Sequence, residues 1–364
     1  MKVTKLFIAR LIIVFIIIVI ILTPMPQVSA LNAWNISSAV HISNITVSSQ
    51  ENSPQGVSFR PDGLKFYIIG LSSNLVSEYN LTQAWNISTA SYFRSITIVV
   101  DGNPTDISMK SDGLKMYTLT ANASVYEYNL SMAWNVSSAV KFRNVAISET
   151  APSGLFLKAD GLKMYTSNAN SDLVSEYNLS TAWNISSATY LRNVSIGTKE
   201  ATTRAVTFST DGVHMYIAGT TSDTIYEYNL SQAWNSSSAV YLRNISVSAD
   251  ENNPQGLFLR DDGYKMYMIG NSGTNDKLHE YDIGVVPPSS SCAYGGTGNW
   301  LINNADNCII NIANVLNGDL ITHGVGTLTL NSTINRTNPA YKLKFIKNDS
   351  DYGTYYLGQG FKLK

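Results

Sequence analysis

The sequence predicts an all-β chain: a five-bladed β-propeller closed by its own N-terminal strand, followed by a small β-rich C-terminal domain. Three observations predict it. A unit of roughly fifty residues is written five times, a period at which each unit buries its apolar face against the next. Within each unit, short apolar and aromatic runs alternate with Asp-Gly or Asn-Gly-Ser clusters, and no stretch carries a sustained helical period. The repeat is also out of phase with the ends of the chain, and that phase supplies the closure.

The first element is not part of the repeat. Lys2, Lys5 and Arg10 precede an apolar run from Leu11 to Leu22, which is followed by Pro24, Pro26, Val28 and Ala30. A basic start, a short apolar centre and a small-residue exit have the layout of a secretory signal peptide cleaved after Ala30. The unbroken run is shorter than the roughly 20 residues that span a bilayer. The alternative is an uncleaved anchor, with Leu6 to Ala9 lengthening the run and Arg10 snorkelling to the interface. Either way the chain is expected outside the cell or at its surface, touching membrane only through residues 1–30 if these are retained.

Residues 31–284 carry the repeats. Trp34, Trp85, Trp134, Trp183 and Trp234 each sit in Ala-Trp-Asn, and Asp62-Gly63, Asp112-Gly113, Asp160-Gly161, Asp211-Gly212 and Asp262-Gly263 mark a second fixed point. In the last unit Pro254 to Arg260, Lys265 to Ile269 and Lys277 to Tyr281 read as three strands, with Gly263 supplying the positive φ of the first turn. A fourth strand follows each Ala-Trp-Asn element, as in Ala239 to Val247. The last unit ends at Tyr281-Asp282 before any fourth strand, whereas Ala39 to Val47 is a fourth strand with no unit before it. The N-terminal strand is therefore predicted to complete the last blade and close the ring.

The Asp-Gly-x-Lys-Met-Tyr hairpin from Asp112 to Tyr117, with its Glu-Tyr-Asn-Leu-Ser exit from Glu127 to Ser131, resembles surface-layer and lactonase-like (YVTN-type) propeller repeats over about Leu31 to Gly284. The resemblance implies the fold and leaves the activity open, since propellers of this kind include both enzymes and binding scaffolds.

Most residues that look functional recur in all units, and recurrence argues for structure. Each Asp-Gly loop offers one recurrent carboxylate, too few for calcium, so turn formation is its expected role. Glu78, Glu127, Glu176, Glu227 and Glu280 on the third strands face Lys65, Lys115, Lys163, His214 and Lys265 on the second, as cross-strand ion pairs would. Tyr67, Tyr117, Tyr165, Tyr216 and Tyr267 fit sheet packing. His41, His214, His279 and His323 are scattered, and no catalytic triad, phosphate loop or metal-ligand spacing includes them. No cofactor or metal is expected. With 14% charged residues and a formal charge of -1, no global field attracts nucleic acid.

The departures from the repeat carry the functional signal. Gln55, Thr105, Ser153, Arg204 and Gln255 form one column, and Gly56, Asp106, Gly154, Ala205 and Gly256 the next, at the start of the innermost strands where side chains can face the channel. Asp106 and Arg204 are the two charges in these columns. They are expected to pair across the channel or to meet a small polar ligand beside Gln55 and Gln255. Sixteen Asn-x-Ser/Thr sequons occur. Nine fall at two repeat positions, Asn35, Asn86, Asn135, Asn184 and Asn235 after Trp, and Asn80, Asn129, Asn178 and Asn229 after Tyr. Turn chemistry accounts for such recurrence, and export makes them glycosylation candidates.

Val285 to Ser291 reads as a Pro/Ser linker. Residues 292–364 hold short β-branched runs, suggesting a small β domain of a few β-helical rungs held by a Cys292–Cys308 disulfide. The function expected is an exported or cell-surface, non-catalytic propeller that binds an unspecified protein or glycan or contributes to a surface layer. The alternative is a secreted lactonase-like hydrolase working at the channel mouth.

Overall fold

A computed structural model describes residues 33–273 and 276–283, together with eight short strands between 300 and 357. The N-terminal segment 1–30, the linker 285–291 and both cysteines lie outside the described residues, and so do the expectations resting on them. The chain divides into two units, Met1–Val285 and Val286–Lys364.

The first unit is a ring of five four-stranded antiparallel sheets. From the axis outward, the first blade runs Pro54–Phe59, Lys65–Gly70, Leu75–Leu81 and Ala90–Thr97. The second, third and fourth blades repeat that order and begin at Pro104, Pro152 and Thr203. In the fifth blade Pro254–Leu259, Lys265–Gly270 and Lys277–Asp282 are followed by Val40–Thr46, which pairs antiparallel with Lys277–Asp282 from Val40↔Asp282 to Thr46↔Lys277. The closure predicted from the phase of the repeats is the one observed. It joins the two ends of the ring by strand pairing and leaves no radial gap.

The burial pattern follows from this arrangement. Blades pack on both sides of one another, so second strands such as Lys65–Gly70 are buried on both faces beyond their first residue, while Ala239–Ser246 on the outside alternates half-buried with exposed. The core is not central but is divided into five clusters between blades. One of these joins Val57, Phe59 and Phe66 of the first blade to Tyr267, Ile269 and Leu278 of the fifth, across the seam.

Two local devices repeat. At the first hairpin Asp62 Oδ1 accepts from Leu64 N at 3.0 Å, and Gly63 adopts φ +71°. The Trp85 ring lies against Gly63, so any Cβ there would collide with the indole, and the Trp85 backbone N–H donates to the Gly63 carbonyl at 2.9 Å. All five of these tryptophans have φ between 62° and 70°, a left-handed conformation rare for a bulky residue and here over-determined by the stack and the bond. The following Asn caps a 3-10 turn. Asn184 Oδ1 accepts from Ser186 N at 3.1 Å, which is the turn chemistry expected after Trp.

The second device links blades. Tyr67, Tyr117, Tyr165, Tyr216 and Tyr267 each donate a hydroxyl hydrogen bond to the Trp carbonyl of the next blade, at 2.6–2.8 Å. The recurring third-strand Glu does more than form a cross-strand pair. Glu176 is fully buried, pairs with Lys163 and with Arg192 at 3.7 Å, and accepts from Ser236 N of the next blade at 3.0 Å. Glu280 likewise accepts from Ile87 N at 2.9 Å. The Lys also explains the Tyr-linked Asn column: Lys65 Nζ donates to Asn80 Oδ1 at 2.7 Å, and Lys265 Nζ meets Asp282 at the same distance. That Asn is a strand residue rather than a turn residue. Phe93 and Phe142, half exposed on the outer strands, lie under Arg94 and Arg143 at 4.2 and 4.1 Å and cover the ion network.

In the second unit, strands stack in parallel. Trp300–Asn303 pairs with Leu320–His323 and then Leu343–Phe345, Ile309–Ile310 with Thr327–Leu330 and then Thr354–Leu357, and Asn314–Leu316 with Ile334–Arg336. Parallel pairing of successive segments is the arrangement of β-helical rungs.

Candidate functional site

The column chosen from the sequence is a column of β-bulges. Each innermost strand loses register with its neighbour between Pro54 and Gly56, Pro104 and Asp106, Pro152 and Gly154, Thr203 and Ala205, or Pro254 and Gly256. Gln55, Thr105, Ser153, Arg204 and Gln255 are the extra residues. A bulge frees a residue from the ladder and re-aims its side chain, and here it does so at one end of the channel.

Around this end lies a cavity of about 510 Å³ whose walls include Gln55, Thr105, Ser153, Asn170 and Arg204. Leu71, Ala121, Ala151, Pro152 and Ala169 supply its apolar surface. Gln255 is absent from the wall; its amide donates instead to Asn253 Oδ1 at 2.5 Å. Ser153 Oγ donates to the Thr203 carbonyl at 2.8 Å, fixing the two bulges together.

Asp106 and Arg204 are separated in role. The Asp106 carboxylate turns into the wall between blades, where Oδ1 accepts from Ile107 N at 2.8 Å and Oδ2 from Leu155 N at 2.7 Å. It forms no ion pair with Arg204 and does not line the cavity. Its burial pushes its pKa up to about 7, against the pull of the two N–H donors. Arg204 is half-buried at the cavity. Burial lowers its pKa, and the Glu200 charge nearby opposes that shift. Its Nε is buried without a hydrogen-bond partner, as is the Thr105 hydroxyl.

Two further groupings were not legible in the sequence. Glu51, Glu200 and Glu251, at the entry to the innermost strands, are buried against Gly70, Gly219 and Gly270, where any Cβ would strike the carboxylate arm. Glu200 accepts from Thr202 N and Thr221 N at 2.9 and 3.0 Å, so it organises the loops at the cavity's edge. The pairing of Glu with Gly in three of five units is the signal that would have found them. At the seam, His41 Nε2 lies 3.3 Å from His279 Nδ1, while Asp250 and Glu251 each stand 3.5 Å from an outer ring nitrogen. These histidines meet only because the N-terminal strand closes the last blade. Among the described residues no group of three or more His, Cys, Asp or Glu is placed to hold a metal ion.

No family model matches the chain, and no curated protein does. Among solved structures, a functionally unknown protein from Desulfotomaculum acetoxidans DSM 771 is similar over 62% of this chain and 68% of its own, with 14% identity and a TM-score of 0.40.

Proposed function

We propose that the protein is an exported, non-catalytic β-propeller that serves as a binding module at the cell surface, of the surface-layer kind, with the channel-mouth cavity as its recognition site. One observation carries this reading. The ionisable groups that recur in every blade are consumed in holding the ring together, and the cavity is walled by neutral side chains around a single arginine. Acid–base hydrolysis needs a titratable group at the reacting centre. The best carboxylate from the sequence, Asp106, is bonded to two backbone N–H groups away from the cavity. A protein or glycan of the envelope is the partner class proposed, and the N-terminal segment is the export signal.

The test is capture of the fluorescently labelled full chain by envelope preparations of the source organism, beside a panel of lactone and ester substrates. Saturable capture without turnover is the expected result. Turnover of any substrate that disappears in an Arg204→Gln variant would replace the binding module with an enzyme. The mass of the secreted protein tests export and the sequons together: a chain starting at Leu31 and heavier than its polypeptide is expected, and one starting near Met1 would sink cleavage.

A further inference from the structure

We infer that the channel-mouth cavity takes a hydroxyl-rich monocarboxylate, a hexuronic acid residue of an acidic glycan, with Arg204 as its anchor. The inference rests on the binding-module reading and names the ligand of that same site. Arg60, Arg94, Arg143, Arg192, Arg243 and Arg260 each have a carboxylate within ion-pairing distance. Arg204 alone among the arginines of the described ring has none, although half of it is withdrawn from water and its Nε is buried without an acceptor. A desolvated guanidinium lacking an anion is the polar half of a carboxylate site, because its planar fork matches the two oxygens of one carboxylate.

The walls set the rest of the ligand. No carboxylate lines the cavity; the Glu200 charge at its edge reaches Arg204 without forming an ion pair with it. One guanidinium balances one negative charge, so a monocarboxylate fits the charge better than a phosphate dianion. The Gln55 and Asn170 side-chain amides belong to the wall. These groups both donate and accept, as sugar hydroxyls require. Leu71, Ala121 and Pro152 offer apolar contact to the C–H face of a ring. A volume of about 510 Å³ accommodates a monosaccharide with its neighbouring residue and lies within the range of about 300–1,000 Å³ common for small-ligand sites.

The experiment is calorimetric titration of the full chain with glucuronate, trigalacturonate, glucose, acetylated dipeptide carboxylates and inorganic phosphate. Glucuronate is expected to bind saturably, with glucose at least about ten-fold weaker and phosphate weaker than glucuronate. Arg204→Gln places at this bulge the side chain already present at Gln55 and Gln255, and it is expected to weaken glucuronate by about ten-fold or more. Arg204→Lys, which keeps the charge and loses the fork, is expected in between, and it decides the matter if the Gln variant does not fold. Equal binding of glucose and glucuronate, unchanged affinity in the Gln variant (or in the Lys variant where that one decides), or no saturable binding of any acid would overturn the inference. Tighter binding of a dipeptide carboxylate or of phosphate would overturn the sugar acid assignment. If Arg204→Gln is captured by envelopes as the parent is, only the ligand assignment falls. If the parent is not captured at all, the binding-module reading falls, whatever glucuronate does.

Discussion

Replacing Asp106 by Ala tests the electrostatics of the channel wall. Ala205 occupies the same position in the fourth blade, so the ring already tolerates that side chain there. Asp106 is buried, and its pKa rises from an ordinary 3.8 to about 7 because desolvation outweighs the two backbone donors. In the unfolded chain the group ionises near 3.8, while in the folded chain it keeps its proton until pH approaches 7. The folded state therefore binds more protons over that interval, and stability falls as pH rises through it. About three pKa units correspond to about 4 kcal/mol at most, at about 1.4 kcal/mol per unit. The assay is guanidinium unfolding of parent and Asp106→Ala from pH 4 to pH 8. Taking the difference between the two removes the titration of every other group to first order. That difference, parent minus variant, is expected to fall by about 4 kcal/mol, with most of the change before pH 7. A flat difference would mean that the Ile107 and Leu155 N–H groups keep the carboxylate at its ordinary pKa, and a rising one would mean that they dominate outright; either refutes the reasoning.

Gly212→Ala meets both a φ of +72° and the Trp234 ring, so a loss of about 3 kcal/mol is expected; Gly273→Ala, at φ +92° with open space around it, should cost about 1, and equal losses by thermal melting would remove the stack from the account. Tyr165→Phe keeps the ring but deletes the 2.6 Å bond to the Trp234 carbonyl, for an expected loss of about 1–2 kcal/mol in chemical unfolding; an unchanged midpoint would make the inter-blade bond ornamental. His41 has its pKa lowered by burial and by the charges of His279 and Lys277, against the pull of Asp250. A depressed histidine withholds stability as pH falls from the unfolded value of 6.5 through the lower folded one, so the advantage of the parent over His41→Gln should shrink between pH 7.5 and pH 5. Its growth over that range, followed by melting temperature, would contradict the sign.

The parts of the fold legible in the sequence are those repeated within one period. Asp62-Gly63 and Trp85 recur together in each blade, and the Asp-Gly pair announces the hairpin, while the indole that covers it is seen only in the structure. The closing strand was legible too, because a missing fourth strand at one end and a surplus one at the other have a single resolution in a ring. Contacts between blades were not legible as such. Glu176 repeats in step with Lys163 and Arg192, which marks an ion pair, but its third partner, Ser236 N, belongs to the next blade, and a repeat column does not say which neighbour it faces. The site was half legible. Asp106 and Arg204 stand out as exceptions by the same test, yet one turns into the wall and the other lines the cavity.

The sequence by itself determined five blades, their strand order and the N-terminal closure, because local turn chemistry and hydrophobic period act over a few residues and the count of units follows. Only the tertiary structure decided which charges remain available. Whether a carboxylate faces the channel or a backbone N–H depends on bulges and on the adjoining blade, and burial then sets its charge. The meeting of His41 with His279 follows from the same cause: ring closure brings together residues 238 apart in sequence, a distance over which no local pattern reports.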